Sequence, residues 1–202
     1  MKLIFATGNE GKMKEIRAIL KDLPLEILSL KEAGIAVDID ENGETFEENA
    51  VIKVKAVKAV LGEEPVILMS DDSGLVVDAM DGQPGVHSSR FMGEDTSYHI
   101  KNAEIIRRVN AAPEGNRACR FCCVIAALLP DGEVLTAAGT VEGEVAFEER
   151  GEGGFGYDPI FYLADKGKCM AELSAAEKNS LSHRARALAA MKEKLIPVLN
   201  RG

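Results

Sequence analysis

Residues 2–20 read KLIFATGNEGKMKEIRAIL, and this stretch decides the fold class because its pattern changes from strand to helix. The opening run KLIFA is short and apolar and stops at a Thr-Gly pair, which is typical of a buried strand followed by a turn. From Gly11 to Leu20 the apolar residues Ile16, Ile19 and Leu20 recur at helical spacing, with charged residues between them. The stretch therefore predicts a buried strand, a tight loop and a helix.

Helical and extended patterns alternate through the rest of the chain. Thr45 and Glu48 form a capping box before an apolar helical stripe, and Ser174 opens a later helix in the same way. The apolar run Val66–Met69 predicts a buried strand, and Arg117–Leu129 predicts a long strand that a Pro-Asp-Gly turn folds back into a hairpin. These patterns predict an α/β fold with a mixed central β-sheet flanked by helices.

The composition is that of an ordinary globular chain of 202 residues, long enough to bury a core as one domain or as two joined lobes. The formal net charge of −9 repels the backbone of a long nucleic acid, although a few lysines can still bind a small anion. The N-terminal residues turn polar too soon for a signal peptide or a membrane span. We therefore expect a soluble, cytoplasmic protein whose four cysteines stay reduced.

Residues 7–12, Thr-Gly-Asn-Glu-Gly-Lys, follow the first strand and open the first helix. Backbone N–H groups and the positive end of a helix attract an anion at such a position, and Lys12 adds a full charge. The segment differs from a P-loop, which requires Gly where Ala6 stands and Ser or Thr where Met13 stands. It indicates either a phosphate-binding loop or an ordinary strand–helix turn with a surface lysine.

Two aspartates, Asp71 and Asp72, together with Ser73 and Gly74, follow the predicted strand Val66–Met69 at its C-terminal end. In α/β folds ligands bind beside the carboxyl ends of strands, and carboxylate oxygens are suitable ligands for Mg²⁺. Successive strand residues face opposite sides, so we expect only one aspartate of the pair to meet the ligand directly. An Asp-rich turn is the alternative.

An acidic loop, Asp38–Glu44, precedes the helix that Thr45 caps. Asp40 or Glu41 of this loop could supply a second carboxylate to the same metal ion. The alternative is that the acids of this loop are solvated, as most acids in such loops are.

A glycine-rich stretch, Gly151–Pro159, presents two aromatic residues and one acid. It contains the spacing of a dinucleotide-binding fingerprint, but we reject that function because a proline and a strand pattern follow it instead of a helix. Phe155 and Tyr157 could stack on a nucleobase, and the alternative is that these rings pack in the core.

Three basic residues, Lys178, His183 and Arg184, lie near the start of the last helical stretch, where clustered donors can bind a base edge or a phosphate. A continuous helix would place Lys178 about 120–140° around the axis from His183 and Arg184, too far apart to share one small ligand. We therefore predict a break or a new N-cap near Ser182. The alternative is an ordinary charged helix face.

Six segments, in this order, resemble one family, the inosine/xanthosine triphosphate pyrophosphatases. They are TGNEGK, TFEENAVIK, SDDSGL, DGQPGVHSSRF, GGFGYDPIF and EKNSLSHRARAL, which together run from Thr7 to about Leu188. The resemblance implies an Mg²⁺-dependent enzyme that hydrolyses non-standard purine nucleoside triphosphates (ITP, dITP and XTP) to the monophosphate and pyrophosphate, clearing them from the nucleotide pool. It also implies a homodimer, and two lobes with the active-site cleft between them.

The resemblance also assigns roles to individual residues. Asp72 is the implied proton acceptor, and Glu41 and Asp72 are the implied magnesium ligands, with Asp40 as an open alternative to Glu41. The implied substrate-binding residues hold the triphosphate, the sugar region and the base: Thr7, Gly8, Asn9, Glu10, Gly11, Lys12, Lys53, Ser73, Phe155, Gly156, Tyr157, Asp158, Lys178, His183 and Arg184.

For the reaction, we expect direct attack of water on the α-phosphorus, with Asp71 or Asp72 orienting or deprotonating the water. Donors on Lys178, His183 or Arg184 would pair with the C6 oxygen of inosine or xanthosine and would oppose the C6 amino group of adenosine. Two alternatives stay open: a nucleotide pyrophosphatase of another base preference, and a non-catalytic nucleotide-binding sensor.

Overall fold

The computed structural model describes residues 1–112 and 115–200 of the chain. Its strands are β1 (Lys2–Phe5), β2 (Glu26–Ser29), β3 (Ile67–Val77), β4 (Ala118–Leu128), β5 (Val134–Val145), β6 (Phe161–Leu163) and β7 (Lys168–Cys169). Its α-helices are α1 (Glu10–Leu20), α2 (Phe46–Leu61), α3 (Tyr98–Ala111), α4 (Ala175–Leu181) and α5 (His183–Leu199). None of these helices combines the length and the apolar composition that crossing a membrane requires.

The strands of the described residues form a seven-stranded sheet in the order β2-β1-β3-β4-β5-β6-β7. β1 pairs in parallel with β2 and β3, whereas β6 pairs antiparallel with β5 and β7. The register between β1 and β3 places Leu3 opposite Ile67 and Phe5 opposite Met69. The prediction of an α/β fold with a mixed central sheet is therefore confirmed.

The chain divides into two compact units. The first unit comprises residues 1–72, 123–139 and 184–200, and the second comprises the described parts of residues 73–122 and 140–183. β3, β4 and β5 each contribute residues to both units. The active-site cleft between two lobes stays a prediction, as does the assignment of residues 1–202 to a single catalytic domain.

The first unit has two apolar clusters because residues alternate in direction along its strands. On β1, Leu3 and Phe5 belong to one cluster, together with Ile16 and Leu20 of α1. Ile4, which lies between them in the sequence, belongs to the other cluster with the apolar residues of α2. A strand buried on both faces is apolar throughout, which is why KLIFA could be recognised as a strand from its sequence.

The second unit has an apolar core of its own. Leu75 and Val77, in the C-terminal half of β3, lie in this core with Ile105 and Val109 of α3. Tyr157 belongs to the same cluster. The core therefore anchors the glycine-rich stretch to α3 and β3.

The expectation that a strand ends at Met69 and that the two aspartates lie at its carboxyl end is wrong. β3 continues through Asp71 and Asp72 as far as Val77. A strand can carry these two acids in its middle because both are paired with cationic side chains, which offsets the cost of removing their charges from water. The candidate acids are thus held by a rigid element and not by a loop.

The predicted break near Ser182 is confirmed. α4 ends at Leu181, Ser182 has an extended backbone with φ −65° and ψ 159°, and α5 begins at His183. The capping boxes predicted at Thr45 and Ser174 are both present. These local signals are reliable because a capping side chain satisfies N–H groups that have no partner within the helix.

Candidate active site

The loop between β1 and α1 places the predicted phosphate-binding residues at the start of a helix. Asn9 is the N-cap of α1, and its Oδ1 accepts a hydrogen bond from the backbone N–H of Lys12 at 3.0 Å. The backbone N–H of Asn9 donates to Oγ1 of Thr7 at 3.1 Å. The N–H groups of Glu10 and Gly11 precede the first intrahelical bonds, so this end of α1 can bind an anion. Glu10 can offer only this backbone group, because its carboxylate repels a phosphate.

Asp71 lies in a buried network of ion pairs. Nζ of Lys12 lies 3.1 Å from Oδ1 and 3.0 Å from Oδ2 of Asp71. Arg184 donates to Oδ2 of Asp71 from Nε at 3.3 Å and from Nη2 at 3.2 Å, and its Nη1 donates to Glu15 at 2.5 Å. Asp71 and Arg184 are each only 1% exposed. Buried charges are tolerated when they are paired and hydrogen-bonded in this way.

The network determines the protonation state of Asp71. Burial alone would raise the pKa of this carboxyl, but Lys12, Arg184 and Lys53 hold the pKa well below its ordinary value. Asp71 is therefore ionised at neutral pH, and its low pKa makes it a poor acceptor for a proton from water.

Lys53 of α2 lies at the centre of a second group of charges. Its Nζ lies 3.1 Å from Oδ1 of Asp72, 2.8 Å from Oε2 of Glu41 and 3.1 Å from the backbone oxygen of Asp71. Lys53 and Asp72 are both buried, and Glu41 is partly exposed. Two carboxylates from different segments therefore converge on one ammonium group.

The pKa of Asp72 is shifted in the opposite direction from that of Asp71. Burial raises the pKa of Asp72 above its ordinary value, and Glu41 adds to this effect, whereas Lys53 and Asn49 oppose it. A carboxylate of raised pKa is the better proton acceptor. Of the two neighbouring aspartates, the electrostatics therefore favour Asp72 for that role.

The two acids considered for the second metal ligand have different surroundings. Asp40 is exposed, and its Oδ2 accepts a hydrogen bond from Nδ2 of Asn42 at 3.2 Å. Glu41 contacts Lys53 beside Asp72, so the contacts favour Glu41. Within residues 1–112 and 115–200, no three Asp, Glu, His or Cys side chains lie close enough together to hold a metal ion. A metal ion at this place would take its remaining ligands from substrate and water.

In the second unit, Phe155, Asp158 and Lys178 lie together. Nζ of Lys178 donates to Oδ2 of Asp158 at 2.6 Å and lies 4.4 Å from the centre of the Phe155 ring. The same Asp158 oxygen accepts a hydrogen bond from the backbone N–H of Phe155 at 2.8 Å. Glycine is required at Gly154, because its φ is +71° and an added Cβ would lie 2.2 Å from that oxygen. These contacts hold the glycine-rich stretch against α4.

Two residues expected to hold the base and sugar region are packed inside the second unit. Tyr157 is buried, and its hydroxyl donates to the backbone oxygen of Ser88 at 2.6 Å. His183 is buried and stacks on Phe121, with 4.7 Å between the ring centres. Tyr157 thus has the core position that was the alternative to base stacking. Phe155 is only partly buried and offers the more accessible ring.

Similarity to known proteins covers nearly the whole chain. Residues 3–194 match the Ham1 family. The chain belongs to this family. It is 44% identical over 194 residues to a dITP/XTP pyrophosphatase of Geobacter sulfurreducens, with 96% of each chain covered. Among solved structures, the Ham1 proteins of Staphylococcus aureus and Coxiella burnetii are similar to it, each at 36% identity with a TM-score of 0.85. These matches cover 98% and 100% of this chain, and 99% and 100% of those chains.

The three basic residues expected to read the base have different partners in this Ham1-family chain. Lys178 contacts Asp158, His183 stacks on an aromatic ring, and Arg184 pairs with Asp71. Their convergence on one base stays a prediction. Ser73, which follows the aspartates on β3, is partly exposed, and its contact with substrate also stays a prediction.

Two polar residues of this Ham1-family site were not expected from the sequence. Asn49 of α2 is fully buried and donates to Asp72, and Glu15 of α1 pairs with Arg184. The sequence carried one signal for Asn49: a polar amide among the apolar residues of α2 indicates a buried hydrogen-bond partner. Glu15 lies one helical turn after Lys12, but nothing in its local sequence indicates a partner on α5.

α3 of the Ham1-family chain also carries two buried polar residues that position loops. Nζ of Lys101 donates to the backbone oxygen of Ser89 at 2.6 Å. Nδ2 of Asn102 donates to Oε1 of Glu149 at 2.6 Å and to the backbone oxygen of Gly156 at 3.4 Å. These bonds tie α3 to the DGQPGVHSSRF segment and to the glycine-rich stretch.

Proposed function

We propose that the chain hydrolyses the non-standard purine nucleoside triphosphates ITP, dITP and XTP to the nucleoside monophosphate and pyrophosphate. One observation carries the proposal: two neighbouring aspartates of β3 are each paired with a lysine from a helix of the first unit. Lys12 pairs with Asp71, and Lys53 pairs with Asp72. Phosphoryl transfer from a triphosphate needs cationic groups and a positioned proton acceptor more than a covalent step. Membership of the Ham1 family, and 44% identity with a relative named dITP/XTP pyrophosphatase, support the same substrate class.

Glu41 and Asp72 are the residues that would hold Mg²⁺. They fit this role because both carboxylates contact the single ammonium group of Lys53, so both face a common positive charge. Mg²⁺ is usually bound through one or two carboxylates, with waters and substrate phosphates as the other ligands. When bound, the ion supplies positive charge that neutralises the phosphates and stabilises the leaving pyrophosphate.

The ion pairs around Asp71 and those around Lys53 together form one network of charges. The net charge of this network favours a nucleotide that binds together with a divalent cation. The network contains four carboxylates and three cationic side chains: Glu15, Glu41, Asp71, Asp72, Lys12, Lys53 and Arg184. With all of them ionised the net charge is −1, which repels a triphosphate, and a divalent cation reverses the sign. Two unit charges 4 Å apart interact by about 4 kcal/mol at an effective dielectric constant of 20. We therefore expect weak binding of the nucleotide without metal.

The chain's own residues position the phosphates and the attacking water. The N–H groups at the start of α1 and the Lys12 ammonium bind phosphate oxygens, and Lys53 binds them beside Asp72. Asp72 accepts a proton from the water as the water oxygen attacks the α-phosphorus. The bond from the α-phosphorus to the bridging oxygen breaks, and pyrophosphate leaves without a covalent enzyme intermediate.

Base recognition is assigned to Phe155 and to the donors on Lys178, His183 and Arg184. The C6 oxygen of inosine and xanthosine accepts a hydrogen bond, whereas adenosine presents an amino group at the same position. A buried donor that faces this amino group loses its partner, and such mismatches discriminate by about 10⁴–10⁵-fold in hydrogen-bonding sites. The ring of Phe155 supplies a face on which any purine can stack.

The test is the product and substrate pattern of the purified protein with Mg²⁺. ITP, dITP, XTP, GTP and ATP are compared at one concentration, and pyrophosphate and orthophosphate are measured separately. We expect pyrophosphate from the first three at rates about 100-fold or more above the rate with ATP. Release of orthophosphate would indicate a different triphosphatase, equal rates would indicate a general pyrophosphatase, and binding without turnover would indicate a nucleotide sensor.

A homodimer in the cytoplasm is part of the same proposal. Sedimentation velocity at the protein concentration used for the activity assay measures the oligomeric state. A monomer that retains full activity would remove the dimer from the proposal and leave the chemistry in place.

A further inference from the structure

A buried amide lies between the two segments that carry the candidate metal ligands. Asn49 is four residues after the cap residue Thr45, near the start of α2, and is fully buried. Asparagine is unfavourable inside a helix, and burial of an amide without hydrogen-bond partners costs free energy. Asn49 is therefore expected to have partners that compensate for its position.

Both ends of the Asn49 carboxamide are hydrogen-bonded. Oδ1 accepts from the backbone N–H of Gly43 at 2.8 Å, and Nδ2 donates to Oδ2 of Asp72 at 3.2 Å. Only an oxygen can accept from the N–H of Gly43, and only the NH₂ group can donate to a carboxylate. The two partners therefore define a single orientation of the carboxamide.

Asp72 is held from α2 by two side chains that are one helical turn apart. Oδ2 accepts from Asn49, and Oδ1 accepts from Nζ of Lys53 at 3.1 Å. Residues four positions apart lie on the same face of a helix, so both donors reach β3 from one side. Because each oxygen has its own donor, the plane of the Asp72 carboxylate is determined by α2.

The other partner of Asn49 belongs to the acidic loop. Gly43 lies two residues after Glu41, and a Cβ added to Gly43 would lie 2.7 Å from Oδ1 of Asn49 and 2.8 Å from Cβ of Glu48. A side chain at this position would therefore force the loop away from α2. Asn49 thus contacts both the Asp72 carboxylate and the segment that carries Glu41.

We propose that Asn49 is a positioning residue that determines how Asp72 and the Glu41 loop lie relative to one another, and so determines the affinity for the divalent cation. The proposal rests on the proposed function, because it assumes that Glu41 and Asp72 bind this cation. Groups that orient metal ligands typically change metal affinity or activity by about 10–100-fold when they are removed.

The direct test is Asn49→Ala, with metal binding and activity measured separately. Binding of Mn²⁺ is followed by the electron paramagnetic resonance signal of the free ion, in the presence of an ITP analogue with a methylene bridge between the α and β phosphorus atoms. We expect the dissociation constant of Mn²⁺ to rise about 10–100-fold, and the Mg²⁺ concentration for half-maximal pyrophosphate release to rise by a similar factor. At saturating Mg²⁺ the KM for ITP should stay nearly constant, because Asn49 contacts a metal ligand and not the phosphate loop.

Three further variants separate positioning from packing. Asn42→Ala is the matched control, because Asn42 is an exposed asparagine of the acidic loop and its side chain bonds to Asp40. We expect this substitution to leave Mn²⁺ binding unchanged. Gly43→Ala perturbs the Asn49 contact from its other side and should raise the Mg²⁺ requirement as Asn49→Ala does. Val54→Ala removes a buried contact of α2 and should lower Tm without changing the Mg²⁺ requirement.

The outcomes distinguish the inference from the proposed function. If Asn49→Ala and Gly43→Ala lower only Tm, as Val54→Ala does, Asn49 is a packing residue and the positioning role is overturned. Should Asn49→Ala fail to fold, Asn49→Leu decides between the two roles, because leucine fills a similar volume but makes neither hydrogen bond. If the wild-type protein neither releases pyrophosphate from ITP nor binds Mn²⁺ with the analogue, the proposed function fails and the role of Asn49 falls with it.

Discussion

Asp71→Asn tests the central ion-pair network of the first unit. Asparagine keeps the size of the side chain but removes the charge that pairs with Lys12 and Arg184. Asp71 and Arg184 are both buried, so water cannot replace the lost anion. The guanidinium of Arg184 would keep its contact with Glu15 and lose the carboxylate that contacts its Nε and Nη2.

The expected magnitude follows from this burial. Breaking a buried ion pair by removal of one partner destabilises a protein by about 3–5 kcal/mol, because the other charge stays buried. For a domain of 150–250 residues, each kcal/mol lowers Tm by about 2–4 °C, and this chain has 202 residues. We therefore expect Asp71→Asn to lower Tm by about 6–20 °C.

The same substitution should make stability less dependent on pH in acid. Burial alone would raise the pKa of Asp71, but Lys12 and Arg184 hold this pKa well below its ordinary value. A carboxyl with a lowered pKa contributes stability that is fully present above its unfolded pKa of about 3.9, and that is lost as the pH falls through the folded pKa. The free energy of unfolding of the wild-type protein should therefore fall more steeply below about pH 4 than that of Asp71→Asn.

Urea titrations near pH 7 and at several pH values from about 4 to about 2.5, without nucleotide or metal, measure both effects. Asp22→Asn is the matched control, because Asp22 pairs with Lys192 at 3.4 Å but its side chain is 65% exposed, and a change within about 0.5 kcal/mol is expected. The buried, ionised state of Asp71 is refuted if Asp71→Asn is as stable as Asp22→Asn at neutral pH. It is also refuted if wild type and Asp71→Asn lose stability equally in acid.

Three other substitutions address the site and the loop that carries the aromatic ring. Asp72→Asn should abolish pyrophosphate release, because an amide cannot accept the proton, and a near-normal rate would remove Asp72 from the mechanism. It should lower Tm less than Asp71→Asn does, because burial raises the pKa of Asp72 and its charge therefore adds less to stability. Lys12→Ala should raise the KM for ITP by about 10-fold or more, because a charge-assisted contact with phosphate is lost, and an unchanged KM and kcat would contradict phosphate binding by the loop. Gly154→Ala should lower Tm more than Gly167→Ala does in thermal melts: both glycines have positive φ, but only at Gly154 would a Cβ lie 2.2 Å from an Asp158 oxygen. Equal shifts in Tm would rule out this close approach.

Several elements and the outline of the site could be predicted from the sequence. The strand, loop and helix of residues 2–20, the capping boxes at Thr45 and Ser174 and the break at Ser182 all follow from interactions between residues a few positions apart. The prediction of a phosphate-binding loop at residues 7–12 rests on the same kind of local signal, because the groups proposed to bind an anion are those of a helix start. The order of the motifs was sufficient to indicate the family.

The partners of the charged residues were decided only by the tertiary structure. The sequence pattern predicted the end of a strand where β3 continues. The polar Asp-Asp-Ser-Gly segment does not reveal that Arg184, 113 positions away from Asp71, supplies a countercharge. The preference for Glu41 over Asp40 depends in the same way on the position of Lys53, and the burial of Tyr157 depends on the core around α3. Local spacing specifies which residues share a face of one helix or strand. Strand order and register specify which helices and strands meet, and the pairing of charged side chains depends on those meetings.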